Sequence, residues 1–207
     1  QSIRYQQFPK NLIDAVIVTE DKRFFSHPGV DLKGVVRATY VNLKARRILQ
    51  GGSTITQQLA KNLFLTPERS FTRKFHELIL SFWLEMRFSK EQILSIYLNR
   101  VYLGSGTYGV QAAAEKYFNK KVEELNLYEC ALIASLLKAP SKYNPIANEE
   151  LSKVRTTKVL NNMAKSGLIS TAKILETKKT NQRYNKFTSS PKSTRYFIDW
   201  VLPRVRS

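Results

Sequence analysis

The stretch TPERSFTRKFHELILSFWLEMRF, residues 66–88, decides the fold. Within it Phe75, Leu78, Ile79, Phe82, Trp83 and Met86 recur at three- and four-residue intervals, the period of one helix face and not of a strand. A face this broad predicts a helix buried at the centre of a helical protein. Neighbouring segments repeat the period. KNLIDAVIVTE (10–20) pairs Leu12 with Val16 and Ile13 with Ile17, and DLKGVVRATYVNLKARR (31–47) follows the capping residue Asp31 with Val35, Val36, Thr39, Tyr40 and Leu43 at helical spacing. Ser53 restarts a helix carrying Ile55, Leu59 and Leu63, and Ser89 with Gln92 forms a capping box for the next, which Gly104 and Gly106 end. Helical patterns continue over 108–118, 125–138, 149–165 and from 170 onward. No credible sheet is present, so the fold class is mainly α.

Composition places the chain among globular proteins. With 43% hydrophobic and 24% charged residues over 207 positions, it can build one sizeable core and is not disordered. The charge is strongly biased. Lys and Arg number 34 against 16 Asp and Glu, a net +18, so the expected partner is a polyanion: nucleic acid, an anionic lipid surface or a phosphate-bearing substrate. Cys130 is the single cysteine, which excludes an intrachain disulfide and a Cys-rich metal site and leaves it as a small core residue. No run approaches the roughly 18 apolar residues that span a bilayer. Because the chain starts at Gln1, it is read as a piece of a longer protein, its anchor absent. Residues 1–180 form the domain. The basic, poorly periodic segment 181–207 is read as a linker.

Three short stretches can carry chemistry. In VTEDKRFFSHPGVD (18–31), Glu20 ends an apolar helix just before a sharp turn, where a side chain can face a cleft while the core holds its backbone. Phe24 and Phe25 can supply an apolar surrounding that raises a carboxylate's basicity, although a solvated helix-end acid fits the same position. GGSTITQQLAKN (51–62) presents Ser53, Thr54, Gln57, Gln58 and Lys61 behind a glycine pair that permits close backbone approach, as a sugar or phosphate site needs. In RSFTRKFHE (69–77), Arg73 and Lys74 lie four and three residues before Glu77, forming either an ordinary helix-surface ion cluster or a diphosphate site with a positioning carboxylate. HELIL begins like a zinc-binding helix, but Leu80 stands at the second histidine position. SSPK (189–192) has the form of a serine-lysine acylation motif without its companions.

The order of these stretches is more specific than any one of them. EDKRFFSHPGVD, GGSTITQQLAKN, RKFHE, KEQILSIYLNRVYLG and ECALIASLLKAPSKYNP resemble, in sequence and over residues 8–145, the five motif regions of the peptidoglycan glycosyltransferases of glycosyltransferase family 51. STRYFIDWVLPRV looks like the lead into a penicillin-binding transpeptidase domain, which implies a class A penicillin-binding protein as parent. One position departs: the family's fourth motif commonly has Glu before xYLN, and this chain has Ser95.

The resemblance implies a lysozyme-like, two-lobed helical fold, with a head, a smaller membrane-facing jaw and a catalytic cleft between them. It implies lipid II and the growing glycan strand as substrates, at the outer face of a bacterial membrane. Glu20 matches the catalytic general base and Glu77 the second conserved acid, while Ser53, Thr54, Gln57, Gln58, Lys61, Arg69, Arg73 and Lys74 would bind substrate. A divalent cation, Mg or Mn, could assist the diphosphate, but no ligand cluster in the sequence demands one. The stretch 32–49, apolar and basic, is the candidate for the jaw's membrane-facing surface. A lytic enzyme of similar fold is the nearest rival, and four cations suit a diphosphate better than a sugar leaving group. Nucleic acid is not expected, since no helix-turn-helix, zinc or RNA-binding signature accompanies the charge.

Overall fold

The structure, a computed structural model, describes residues 2–47, 51–65 and 70–180. Nine α-helices run through them: α1 (Lys10–Glu20), α2 (Leu32–Ala45), α3 (Ile55–Phe64), α4 (Phe71–Arg87), α5 (Lys90–Arg100), α6 (Val110–Phe118), α7 (Leu127–Leu136), α8 (Glu149–Lys165) and α9 (Thr171–Thr180). Among the described residues there is no strand, only an isolated bridge between Tyr102 and Tyr108. The protein is mainly α, as the periodicity predicts.

The centre of the fold is α7. Every residue from Leu127 to Leu136 is buried, Cys130 included, and its near-continuous apolar sequence leaves no side for water. Asn126 caps it by accepting the Glu129 amide, while Glu129 reaches back to the Asn126 amide. Helices α1 and α8 pack on α7, and α3 packs on both α4 and α5. Local signals start the helices where expected. Asp31 accepts the Gly34 amide to cap α2, and the Ser89–Gln92 box caps α5. Two ends differ from expectation. The cap of α3 is Thr54 and not Ser53, and α5 stops at Val101, ahead of the turn that holds Gly104 and Gly106.

The larger correction concerns α4. The sequence predicts a buried central helix, yet its apolar face looks outward: Phe75 is 60% exposed and Met86 77%, with Ile79, Phe82 and Trp83 exposed as well. Glu77, Ser81 and Leu84 face inward instead. Periodicity reports that a helix has two faces, not which of them meets the core. The turn SHPG settles it here. Gly29 sits on the inward face of α4 at φ +89, and a Cβ there would stand 3.0 Å from the Glu85 side chain and 3.1 Å from the Ser81 carbonyl. Only glycine fits that approach. Helix α2 is likewise outward-facing, with Leu32, Val36, Tyr40 and Leu43 exposed.

Candidate active site

The acidic pair at the end of α1 divides into two roles. Asp21 is buried; it meets Nε2 of His27 at 2.9 Å and accepts the Ile55 amide at 3.1 Å, so it ties the SHPG turn to the first turn of α3. That carboxylate at a helix N-terminus is favourably placed. Glu20, one residue earlier, points elsewhere. It is partly buried, and its Oε2 accepts a hydrogen bond from Nε2 of Gln58 at 3.0 Å. Burial pushes its pKa above the ordinary carboxylate value; the Gln58 amide and the charges of Arg155 and Lys138 pull it back, and Asp21 adds to the rise. A carboxylate so placed is more basic than a solvated one.

The polar face expected of α3 is split by burial. Thr54 and Gln57 are both buried and form the reciprocal cap: the Gln57 amide donates to Thr54 Oγ1 at 3.1 Å, and the Thr54 amide donates to Gln57 Oε1 at 3.0 Å. The Thr54 hydroxyl also donates to the Gly29 carbonyl. Their polar groups are thereby engaged in holding the start of α3. Gln58 sits between Glu20 and Tyr97, whose hydroxyl donates to Gln58 Oε1 at 3.0 Å. Lys61 is exposed on the last turn.

On α4, Lys74 Nζ lies 2.7 Å from Glu77 Oε2 and 3.1 Å from Ser53 Oγ, and Arg73 Nε lies 3.6 Å from Glu77 Oε1. Ser53 is thus brought to the basic cluster. Glu77 is buried while Lys74 keeps 45% of its side chain exposed, so the pair presents a fixed cation at its outer edge. Arg69 lies outside the described residues. Below this layer Glu85 accepts from Thr56 at 2.6 Å and from Lys90 at 2.7 Å, and Lys90 donates also to the His27 carbonyl at 2.6 Å, which cross-links α3, α4, α5 and the turn.

Two residues near Glu20 escaped the sequence reading. Lys138 follows α7 and Arg155 lies on α8, both close enough to act on Glu20 by charge. Lys138 stands within KAPSKYNP, so its motif was legible although its neighbour was not; Arg155 has no local signal at all. Ser95 is turned to the N-terminal segment, donating to the Ile3 carbonyl at 3.0 Å.

The structure thus holds a glutamate of raised basicity at the end of α1, a second acid flanked by cations on α4, and the polar start of α3, which contacts both through Gln58 and Ser53. The family model described as Transglycosylase matches residues 1–164, and the chain belongs to that family: it is an enzyme, a peptidoglycan glycosyltransferase. Two relatives are penicillin-binding proteins 1A. The chain is 48% identical over 187 residues to penicillin-binding protein 1A of Neisseria flavescens, covering 90% of this chain and 23% of that protein. To penicillin-binding protein 1A of Aquifex aeolicus it is 46% identical over 210 residues, covering 99% and 28%. The chain thus spans about a quarter of the length of these relatives. The crystal structure of penicillin-binding protein 1A from Haemophilus influenzae is similar at 26% identity and a TM-score of 0.49, over 85% of this chain and 17% of that one.

Proposed function

We propose that this domain polymerises lipid II into β-1,4-linked glycan and releases undecaprenyl diphosphate by an inverting displacement with Glu20 as general base. The observation that carries the reading is the setting of Glu20: a carboxylate made more basic by burial, held by an amide, on a fold whose second acid is ringed by cations. Glu20 takes the proton from the 4-hydroxyl of the acceptor sugar as that oxygen attacks the anomeric carbon of the growing chain. The bond to the diphosphate breaks with its electron pair, and an α-linked diphosphate becomes a β-glycosidic bond. General-base help of this kind contributes about 10²- to 10⁴-fold.

Charge then appears on the diphosphate. Lys74 and Arg73, oriented by Glu77, together with Lys61 and Arg69, are the cations to receive it, with Ser53 holding Lys74. Glu77 orients these groups and does not move a proton. Thr54 and Gln57 shape the site through the cap of α3. A Mg or Mn ion could assist the diphosphate; among the described residues no group of three His, Cys, Asp or Glu side chains is placed to hold one.

The outward apolar faces support a membrane surface as the place of reaction. On α2, Leu32, Val36, Tyr40 and Leu43 are exposed beside Lys33, Arg37 and Lys44, an amphipathic pattern suited to the lipid interface, where each nearby cation contributes about 1 kcal/mol. The exposed face of α4 has the same character. No described helix is long and apolar enough to cross a membrane. The length of the relatives fits a parent in which a transpeptidase domain follows, at the outer face of a bacterial membrane. Incubating the chain with labelled lipid II in anionic vesicles tests the reading: glycan polymer is expected, and its absence alongside cleavage of preformed glycan would assign the site to a lytic enzyme.

A further inference from the structure

We propose that Tyr97 and Gln58 are positioning residues that form a directional relay, holding Glu20 ionised and aimed. The proposal rests on Glu20 being the general base and concerns what keeps it so. The geometry is a chain of two hydrogen bonds from three helices: Tyr97 Oη on α5 donates to Gln58 Oε1 on α3 at 3.0 Å, and Gln58 Nε2 donates to Glu20 Oε2 at the end of α1 at 3.0 Å.

An amide can face its neighbours in two ways, and each suits one protonation state of Glu20. With Nε2 toward Glu20 the amide donates to a carboxylate; with Oε1 toward Glu20 it needs a protonated acid to donate to it. Tyr97 breaks the tie. Its side chain is 1% exposed, and the flipped amide would leave its hydroxyl hydrogen without the acceptor it now has, at the cost of an unsatisfied buried donor. Burial first and the Glu20 charge second push the Tyr97 phenol well above its ordinary pKa, so it remains a donor. The amide is thereby locked with its N–H toward Glu20, which opposes the effect of burial on that carboxyl. The other charged groups facing Glu20 act through space: Arg155 from α8 and Lys138 beyond α7 favour its ionised form, and Asp21 disfavours it. Their influence on Glu20 is coulombic, whereas Gln58 reaches it by a hydrogen bond. The relay supplies direction as well as charge balance, because a base fixed by one oxygen presents the other to the acceptor hydroxyl.

The test is a direct titration of the Glu20 carboxyl by ¹³C NMR on the 207-residue chain, its signal assigned by loss in Glu20→Gln, with the pH profile of polymerisation alongside. Tyr97→Phe keeps the buried ring and removes only the hydroxyl, so the midpoint is expected to rise by roughly half a pH unit to one unit. Gln58→Leu removes the donor itself and is expected to raise it by roughly one to two units. In both, the acid limb of kcat/KM moves up by the same amount and activity recovers toward alkaline pH, which a general loosening of the fold would not produce. An unchanged midpoint in Gln58→Leu overturns the relay, and should Tyr97→Phe not fold, that variant alone decides. Midpoints that rise while the acid limb stays put would leave the relay standing and remove Glu20 as the base.

Discussion

Glu20 and Glu77 are two carboxylates at opposite ends of the polar start of α3, and their surroundings are opposite. Glu20 receives one neutral donor, the Gln58 amide, in a setting that raises its basicity; Glu77 is buried between Lys74 at 2.7 Å and Arg73 at 3.6 Å. A base needs a lone pair that no cation already occupies. A holder of cations needs the reverse. The difference teaches that local charge company, and not the residue type, separates the two carboxylates, and it is the basis of the roles proposed for them: proton transfer for Glu20, electrostatic organisation for Glu77.

The strongest way to break this comparison is Glu20→Gln. Loss of polymerisation by at least the roughly 10²- to 10⁴-fold expected of a general base is predicted, measured as turnover of lipid II. Stability should move the other way. The folded pKa of Glu20 lies above the unfolded value, so this group favours the fold below the ordinary carboxylate pH and loses that contribution as pH rises through the raised value. At neutral pH the neutral amide is therefore expected to melt no lower than the parent. Near-normal turnover in Glu20→Gln would remove it from the mechanism.

Lys74→Ala comes next. If the cation receives charge on the leaving diphosphate, the rate at saturating lipid II falls by roughly 10²-fold or more, about 2.7 kcal/mol, while Lys74→Arg keeps partial activity. If Lys74 is only a surface partner for Glu77, Lys74→Ala changes stability by under about 1 kcal/mol and leaves the rate alone. The 45% exposure of its side chain makes the stability change small in either case, so the rate is the deciding quantity. Glu77→Gln sharpens the contrast further. It should lower stability by about 1–3 kcal/mol through loss of the charge-assisted hydrogen bond from Lys74 and of the ion pair with Arg73, and leave the acid limb of the pH profile where it was. An acid limb that moved with Glu77 would make it a proton carrier and erase the distinction.

Much of this pattern was legible in the sequence because it is local. Helix starts at Asp31 and Ser89 are written within three residues of the caps, and the Arg73–Lys74–Glu77 cluster within one helical turn. Two kinds of information were not. The outward turn of α4 is hidden because an amphipathic period has no sign, and a helix with an apolar face toward lipid reads like one with that face toward a core. The company of Glu20 is hidden because it comes from distant chain: Gln58 lies 38 residues away and Tyr97 a further 39, joined only when α3 packs on α5. The same distance conceals Arg155, which reaches the site because α1 packs on α8. The capping role of Thr54 and Gln57 is hidden for the opposite reason: hydroxyls and amides at a helix start serve a cap and a ligand equally well on paper, and only the structure shows the reciprocal cap.

The smallest effect is expected at the place where a third carboxylate is missing. Ser95 occupies the position where the fourth motif of the family commonly carries Glu, and its hydroxyl donates to the Ile3 carbonyl at 3.0 Å, the same carbonyl that accepts from Asn99 Nδ2 at 2.8 Å. The N-terminal segment therefore keeps one donor if Ser95 loses its own. Ser95→Glu exchanges a donor for an acceptor, forfeiting a hydrogen bond worth about 0.5–1.5 kcal/mol. Arg4 lines the same shallow cavity as Ser95 and can meet the new carboxylate, an exposed pairing worth about 0–1 kcal/mol. The two changes nearly offset. Melting is expected to shift by an amount equivalent to less than about 1 kcal/mol, and polymerisation to stay at the parent rate, because the hydrogen bond of Ser95 joins it to Ile3 and to neither Glu20 nor Glu77. A large gain of activity on installing Glu would show that this position takes part in the chemistry, and that the division of labour between two carboxylates is incomplete.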